Sequence, residues 1–485
     1  MKYLSSMFCV ALLVGVALAE QPKTKEYNVL FIAIDDLNDW VGCLGGNQQA
    51  ITPNLDRFAE SGMVMNKAYC PGTVCGPSRS SLLTGKQSAN TGLYGNGNNL
   101  KHSEVTKELE TLPEYFGNRG YHTLSTGKIF HKHGDPKAPD GMDQGQWAFH
   151  EFFDAKGGNQ GMAWEEEPKV EGIKSGGSRF AWGACNAPTE KTKDYASSKW
   201  AADQLDRDFD GKPFFMALGI SKPHLPWFVP QEFFDMYPLD KIEQVKFRRD
   251  DLDDVLRADG KPLYKPTDRF LLADQTGMHK NAQRAYLACV SYADYCVGVV
   301  LDALAKSKYA DNTIVMIWGD HGWYLSEKMH YGKTHLWEES CRVPFIVKVP
   351  SVTPPGVKCE GIVNLLDMYP TLVDLCGLPP NKDNDGRSFA KLLANPSMKW
   401  NEPTLTTYQY KNHSLTDGRY RYIWNGGKKG GGSEELYDHE IDPQEYTNLA
   451  SNPEYKDVIK RFKKYLPEHN EPESPRNVHP KPKQR

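Results

Sequence analysis

The chain lacks a charge excess of either sign. Lys and Arg together number 58 and Asp and Glu 62, a formal net charge of −4 over 485 residues. A nucleic-acid partner or an anionic membrane surface calls for a basic patch or a basic amphipathic helix, and neither is present. Beyond the first twenty residues no run reaches the ~18 apolar residues of a membrane span. No C-x-x-C pair occurs among the ten cysteines, which argues against a zinc site. No internal repeat recurs.

What is present is ordinary globular composition, with 39% hydrophobic and 25% charged residues. The length suits a large α/β domain plus a smaller unit. Tyr (24) and Trp (11) are plentiful; most suit a core, and some suit a platform for sugar rings. The start has the form of a secretory signal over residues 1–19: Lys2, an apolar stretch over 7–18, and Ala17-Leu18-Ala19 as the cleavage site. The expected product is exported, to a periplasm or outside the cell. Removing Cys9 with that leader leaves nine cysteines, and the odd count points to at least one unpaired thiol. Cys75 is the candidate. Cys289 and Cys296 share one helix face two turns apart, too far to bridge. Most of the others suit small buried hydrophobes.

Two apolar runs, Val29 to Ile34 and Thr313 to Trp318, have the pattern of central parallel strands covered on both faces. Asp35-Asp36 follows the first, and Gly319-Asp320-His321-Gly322 the second. Further strands are expected at 121–126, ending in Lys128 and His131, and at 213–219, followed by Lys222-Pro223-His224. In open α/β sheets the C-terminal strand edge is where ligands bind. Adjacent carboxylates there hold a cation or form a solvated turn. His224, between two prolines, is expected in an extended segment, with a structural or a functional role. Helices are expected at 53–61, 111–120, 195–209, 281–309 and 367–376; the longest is a cover for the sheet with no chemistry. Residues 132–193 and 235–280 are irregular inserts, suited to substrate-facing loops or to surface packing. A catalytic domain over 20–410 would precede a C-terminal unit over 411–485. That unit holds a strand at 414–424, a glycine-lysine turn at 426–432, a strand at 435–437, a helix at 455–465 and a disordered tail from about 466.

Cys75-Gly76-Pro77-Ser78-Arg79 opens a helix closed by Gly85. Proline suits the first helical turn. The exposed N–H groups and the macrodipole there favour a negative charge, and Arg79 adds a planar cation. The carboxylates and imidazole of Asp35, Asp36, Asp320 and His321 match a hard divalent cation, Ca²⁺. Lys128, His131, His224 and Lys333 would surround an oxyanion.

Cys75-Gly76-Pro77-Ser78-Arg79 with Leu83-Thr84-Gly85 resembles the signature of type I sulfatases. The histidine beside Asp320, Gly127-Lys128-Ile129-Phe130-His131 and Lys222-Pro223-His224 resemble the iduronate-2-sulfatase-like branch. The resemblance spans roughly 27–450 and is weakest in the two inserts. It implies an alkaline-phosphatase-like, mostly parallel sheet sandwiched by helices, with a smaller C-terminal α+β subdomain. It implies that a formylglycine-generating or sulfatase-maturing enzyme oxidises Cys75 to formylglycine. Residue 75, Asp35, Asp36, Asp320 and His321 would hold one Ca²⁺. Arg79 would orient the hydrated aldehyde, and Lys128 and Lys333 would neutralise the sulfate. His224 or Lys333 would protonate the leaving oxygen, and His131 would deprotonate the second hydroxyl as sulfate departs. The implied substrate is a sulfated polysaccharide or oligosaccharide. Two competing functions are a phosphate or phosphonate ester hydrolase on the same scaffold and a non-catalytic sugar-binding relative. The cysteine in this motif disfavours the first, and the complete ligand set disfavours the second.

Overall fold

The computed structural model describes residues 26–131, 145–155, 180–400 and 402–475. The expected leader and much of the first insert lie outside them. Eight strands form the main sheet: β1 (Asn28–Ile34), β2 (Met63–Tyr69), β3 (His122–Gly127), β4 (Glu151–Phe153), β5 (Phe214–Ile220), β6 (Thr313–Gly319), β7 (Phe345–Lys348) and β8 (Val357–Asn364). Their order is β8-β2-β7-β6-β1-β5-β3-β4. β1 runs parallel to both β5 and β6, and β3 parallel to β5 and β4. β7 alone runs against its neighbours.

The apolar runs become strands because both faces of the sheet are covered. Leu30, Ile32 and Ile34 of β1 pack into one core, while Val29, Phe31 and Ala33 pack into the other. The first face carries α1 (Pro53–Ser61), α4 (Lys193–Gln204) and α5 (His279–Lys306); the second carries α2 (Cys75–Thr84), α3 (Leu112–Gly117) and α6 (Met368–Leu375). By length and composition α5 could cross a bilayer, but 78% of its apolar window is buried in the protein, as suits a core helix.

The inserts are more ordered than expected. β4 adds an edge strand, and Trp182–Cys185 pairs in parallel with Trp227–Pro230. In the second insert a helix runs over Asp268–Thr276, with the Thr267 hydroxyl accepting from Phe270 N and Gly277 left-handed at its end. The C-terminal sheet has four antiparallel strands, β9 (Thr404–Thr407), β10 (Asn412–Thr416), β11 (Tyr420–Asn425) and β12 (Ser433–Asp438). The single strand expected over 414–424 is a hairpin, turned by Asp417-Gly418 with Gly418 at φ +86°. The sheet also starts ahead of residue 411, because β9 is its first strand. Nor is the segment from 466 to 475 loose: Glu471 N donates to Ala89 O (2.7 Å), and Ser474 N to Gly92 O (2.8 Å). All nine described cysteines are free.

Candidate active site

Parallel pairing brings four strand ends to one edge. Ile34 sits in register with Gly319 and with Ile220, and Gly127 with Gly219. Asp35-Asp36, Asp320-His321, the 221–226 turn and Lys128 therefore leave the sheet side by side. Gly127 and Gly219 permit this crowding. A Cβ on Gly127 would stand 2.0 Å from Gly219 O, and one on Gly219 would stand 2.2 Å from Lys128 O.

α2 delivers Cys75 to this edge from the second face. Val74 is extended, Cys75 is the first helical residue, and Gly85 ends the helix at φ +70°. The Cys75 side chain is fully buried. Its Sγ lies 2.8 Å from Lys333 Nζ, 3.2 Å from His321 Nε2 and 3.9 Å from Asp36 Oδ1. Gly76 N donates to Asn96 Oδ1 (2.7 Å), so the free N–H next to the nucleophile is satisfied by a neighbouring loop. Burial and Asp35 push the thiol up; Lys128 and Lys333 outweigh them and hold it below the ordinary thiol value.

The carboxylates are held charged. Burial pushes Asp35 up, but Lys128, His224 and Arg79 hold it well below the usual range; against burial and the charge of Asp35, His224 and Lys333 hold Asp36 below its ordinary value. Lys128 Nζ donates to Asp35 Oδ2. Lys333 Nζ donates to Asp36 Oδ1 at 2.7 Å. Arg79 Nε donates to Asp320 Oδ2 (2.7 Å), its Nη1 to the Lys128 and Ile129 carbonyls, and its Nη2 to Asp35 Oδ1 (3.4 Å). The guanidinium thus fastens α2 to two strand ends. Against burial, those partners hold it charged in the combined field of Asp320, Asp35 and Cys75.

Whether a divalent cation suits this site can be judged from its donors. Ligand atoms of Asp35, Cys75, Asp320 and His321 lie within 4.8 Å of one another, as do those of Asp35, Asp36, Cys75 and His224. Asp36 Oδ2 is buried with no hydrogen-bond partner. An orphaned, charged carboxylate oxygen among hard oxygen donors fits a hard cation. Burial pushes His321 down, but Asp320 and Cys75 raise it to about 9. The same negative field that draws a proton there would draw a metal ion.

The two remaining imidazoles differ. His224 lies in a turn, not the expected extended segment: its N–H donates to Ser221 O, and the flanking prolyl bonds are both cis. Asp194 of α4 accepts from Ser221 N and Lys222 N, each at 3.0 Å, and fixes that turn. His224 Nδ1 bonds Leu225 O (2.6 Å), and Nε2 points toward Asp36 Oδ2 at 3.9 Å. His131 is mostly buried, and desolvation followed by Lys128 pushes it down to about 3, so its ring is neutral.

Sequence reasoning missed several supporting residues. Asp36 has a left-handed backbone (φ +64°). Tyr286 of α5 holds it there, its hydroxyl donating to Asp36 O at 2.8 Å, so α5 does more than cover the sheet. A tyrosine at a helical core spacing carries no mark of that role. Arg269, from the helix in the second insert, lies beside Gly332 in the field of Asp36. Ser78 bonds Asp320 O at 2.5 Å.

Residues 27–378 match the family model described as Sulfatase. The chain belongs to the sulfatase family. It is a sulfuric ester hydrolase with the alkaline-phosphatase-like fold, in the iduronate-2-sulfatase-like branch. Residues 319–472 also match the model of the N-sulphoglucosamine sulphohydrolase C-terminal region, which runs from Asp320 through the four-stranded sheet. A sulfatase of Formosa agariphila is 36% identical to this sulfatase over 93% of this chain and 88% of its own. Human iduronate 2-sulfatase is 29% identical over 77% of this chain and 73% of its own. A solved structure of a protein in complex with its substrate D-glucosamine-2-N,6-O-disulfate superposes with a TM-score of 0.67. It shares 22% identity and covers 91% of this chain and 97% of that one.

Proposed function

We propose that this sulfatase is exported and removes a sulfate ester from a carbohydrate, with residue 75 as formylglycine and one calcium ion in the site. The observation that carries the reading is the placement of Cys75 Sγ, buried at a helix N-terminus beside Lys333, His321 and the Asp36 carboxylate. A hydrated formylglycine at position 75 supplies an oxygen nucleophile for sulfur and a route to free sulfate that needs no water attack on an ester. Asp35, Asp36, Asp320 and His321 would hold the calcium ion, which supplies positive charge beside the sulfate oxygens.

The chain's own side chains do the rest. Lys333 and Lys128 present ammonium groups to the sulfate. Burial opposes the charge of Lys333, but Asp36 and Cys75 raise its pKa well above the ordinary value, so it binds anions better than it gives up a proton. His224 is the better proton donor for the leaving sugar oxygen when its ring is the imidazolium, because Nδ1–H is held by Leu225 O and the Nε2 proton then faces the site. Neutral His131 can accept the proton released as sulfate departs. The sugar assignment draws on the iduronate relative and on an exported, aromatic-rich chain.

The test is sulfate release from a panel of sulfated oligosaccharides and matched phosphate esters, by protein co-produced with a maturing enzyme. Release should be lost in Cys75→Ala and on chelation, and calcium should restore the second. Mass spectrometry of the residue-75 peptide should show the fall in mass from thiol to aldehyde. Multiple turnover by Cys75→Ala would overturn the scheme.

A further inference from the structure

The glycine-lysine turn over 426–432 plays no part in the chemistry above, yet it lines a cavity together with the residue that precedes the nucleophile. A cavity of about 560 Å³ is lined by Val74, Thr334, Tyr408, Tyr410, Lys428 and Lys429, with Glu473 also on its wall. Val74 immediately precedes Cys75 and Thr334 immediately follows Lys333, and Thr334 N donates to Thr73 O at 3.1 Å. The cavity and the catalytic centre therefore share a wall. We propose that this cavity is a subsite for an anionic sugar unit joined to the sulfated one, with Lys428 and Lys429 binding its carboxylate or second sulfate. The inference rests on the carbohydrate reading above and adds to it where the neighbouring unit sits and what charge it carries.

The turn is built to hold the two lysines out from a fixed base. Gly427 N donates to Asn412 Oδ1 (2.9 Å), Gly426 N to Lys411 O (3.0 Å), and Ala258 N to Gly430 O (3.1 Å). A side chain could not replace the glycines at its ends: a Cβ on Gly426 would meet Trp424 Nε1 at 2.2 Å, and one on Gly430 would meet Asn425 O at 2.3 Å. Lys428 and Lys429 remain exposed. Tyr410 is 38% exposed, and its ring meets Tyr94 edge-on at 5.9 Å. Aromatic rings suit the C–H faces of a sugar, and ammonium groups suit its anionic substituents. Backbone strain gathers at the same place: Thr334, Gln409 and Lys411 have φ of +81°, +60° and +64°. Such strain concentrates where a surface is shaped for a ligand.

The experiment compares kinetics on sulfated, uronic-acid-containing oligosaccharides and on 4-nitrophenyl sulfate, using matured enzyme. In K428E/K429E the ratio of kcat/KM on the oligosaccharides to that on 4-nitrophenyl sulfate should fall by about tenfold or more. The fall should come through KM, and K428R/K429R should restore it. Tyr410→Ala should move the ratio in the same direction. Both lysines are exposed on a turn, so the variants should keep the parent Tm. A ratio within about twofold of the parent in K428E/K429E, on an oligosaccharide that the parent desulfates, would overturn the subsite while leaving the carbohydrate reading intact. A parent enzyme that cleaves 4-nitrophenyl sulfate but desulfates no oligosaccharide would overturn the carbohydrate reading itself.

Discussion

His224 shows how one side chain's neighbours decide its work. With Nδ1 engaged by Leu225 O, the tautomer is set, and only Nε2 is positioned to exchange a proton inside the site. His224→Ala should lower kcat by roughly 10²–10⁴-fold. The loss should be smaller on substrates with acidic leaving groups, such as 4-nitrophenyl sulfate. An equal loss on both classes would remove His224 from the acid role. At this scale the reacting groups were legible and their supports were not. Asp35, Asp36, Asp320 and His321 follow apolar strands directly, and Cys75 and Arg79 sit in one local motif. Asp194, Tyr286 and Arg269 lie on helices, where the same residues satisfy ordinary packing. Only the assembled chain shows Asp194 bonded to the His224 turn and Tyr286 to the Asp36 carbonyl. The partners of the Arg79 guanidinium are hidden for the same reason, since they come from distant strand ends.

Elements with a strong local rule are legible in the sequence, and those defined by their partners are not. β1 and β6 are uninterrupted apolar runs, and α2 has both its proline and its glycine stop. The β10–β11 hairpin reads as one strand in the sequence because apolar residues lie on both sides of a turn that only Asp417-Gly418 marks. Residues 466–475 read as unstructured in the sequence because their order comes from contacts with residues 89–98, and the rest of the expected tail lies outside the described residues. His413 of β10 belongs to that docking: it is buried and bonded to Thr407 Oγ1 and Asn470 Oδ1. Desolvation pushes its pKa down to about 4. In the unfolded chain the ring has an ordinary value near ~6.5. Between those pH values the unfolded state binds more protons, so the stabilisation is complete above ~6.5 and is lost as pH falls toward 4. Amide exchange over 466–475 should accelerate across that window. His413→Gln should flatten the pH dependence, and an unchanged profile would count against this role.

For the whole molecule, the C-terminal sheet is tied into the catalytic domain and does not hang from it. Thr407 N donates to Pro71 O and Thr406 Oγ1 to Cys70 O, a few residues ahead of the nucleophile. Arg421 of β11 bonds Glu445 Oε1 (2.7 Å), Ser414 Oγ (2.7 Å) and Glu338 on the helical turn that follows the Lys333 loop. Arg421→Met removes the guanidinium from Glu338 and leaves Glu445 with His439 alone among its side-chain partners, and removing one partner of a buried pair costs about 3–5 kcal/mol. Urea denaturation should show that loss as one cooperative transition moved to lower urea. A separate early transition of the sheet, with the catalytic domain unmoved, would show two independent units.

The depth of Cys75 sets an order of events in the life of the chain. Once α2 has docked against the strand ends that Arg79 grips, nothing of that sulfur faces the solvent. A macromolecular partner that must grip this stretch would therefore meet it more readily in an unfolded chain than in the docked helix. On the proposed formylglycine reading, a chain that folds before its thiol is oxidised stays unmodified, and the share of active molecules in a preparation should record which of the two came first.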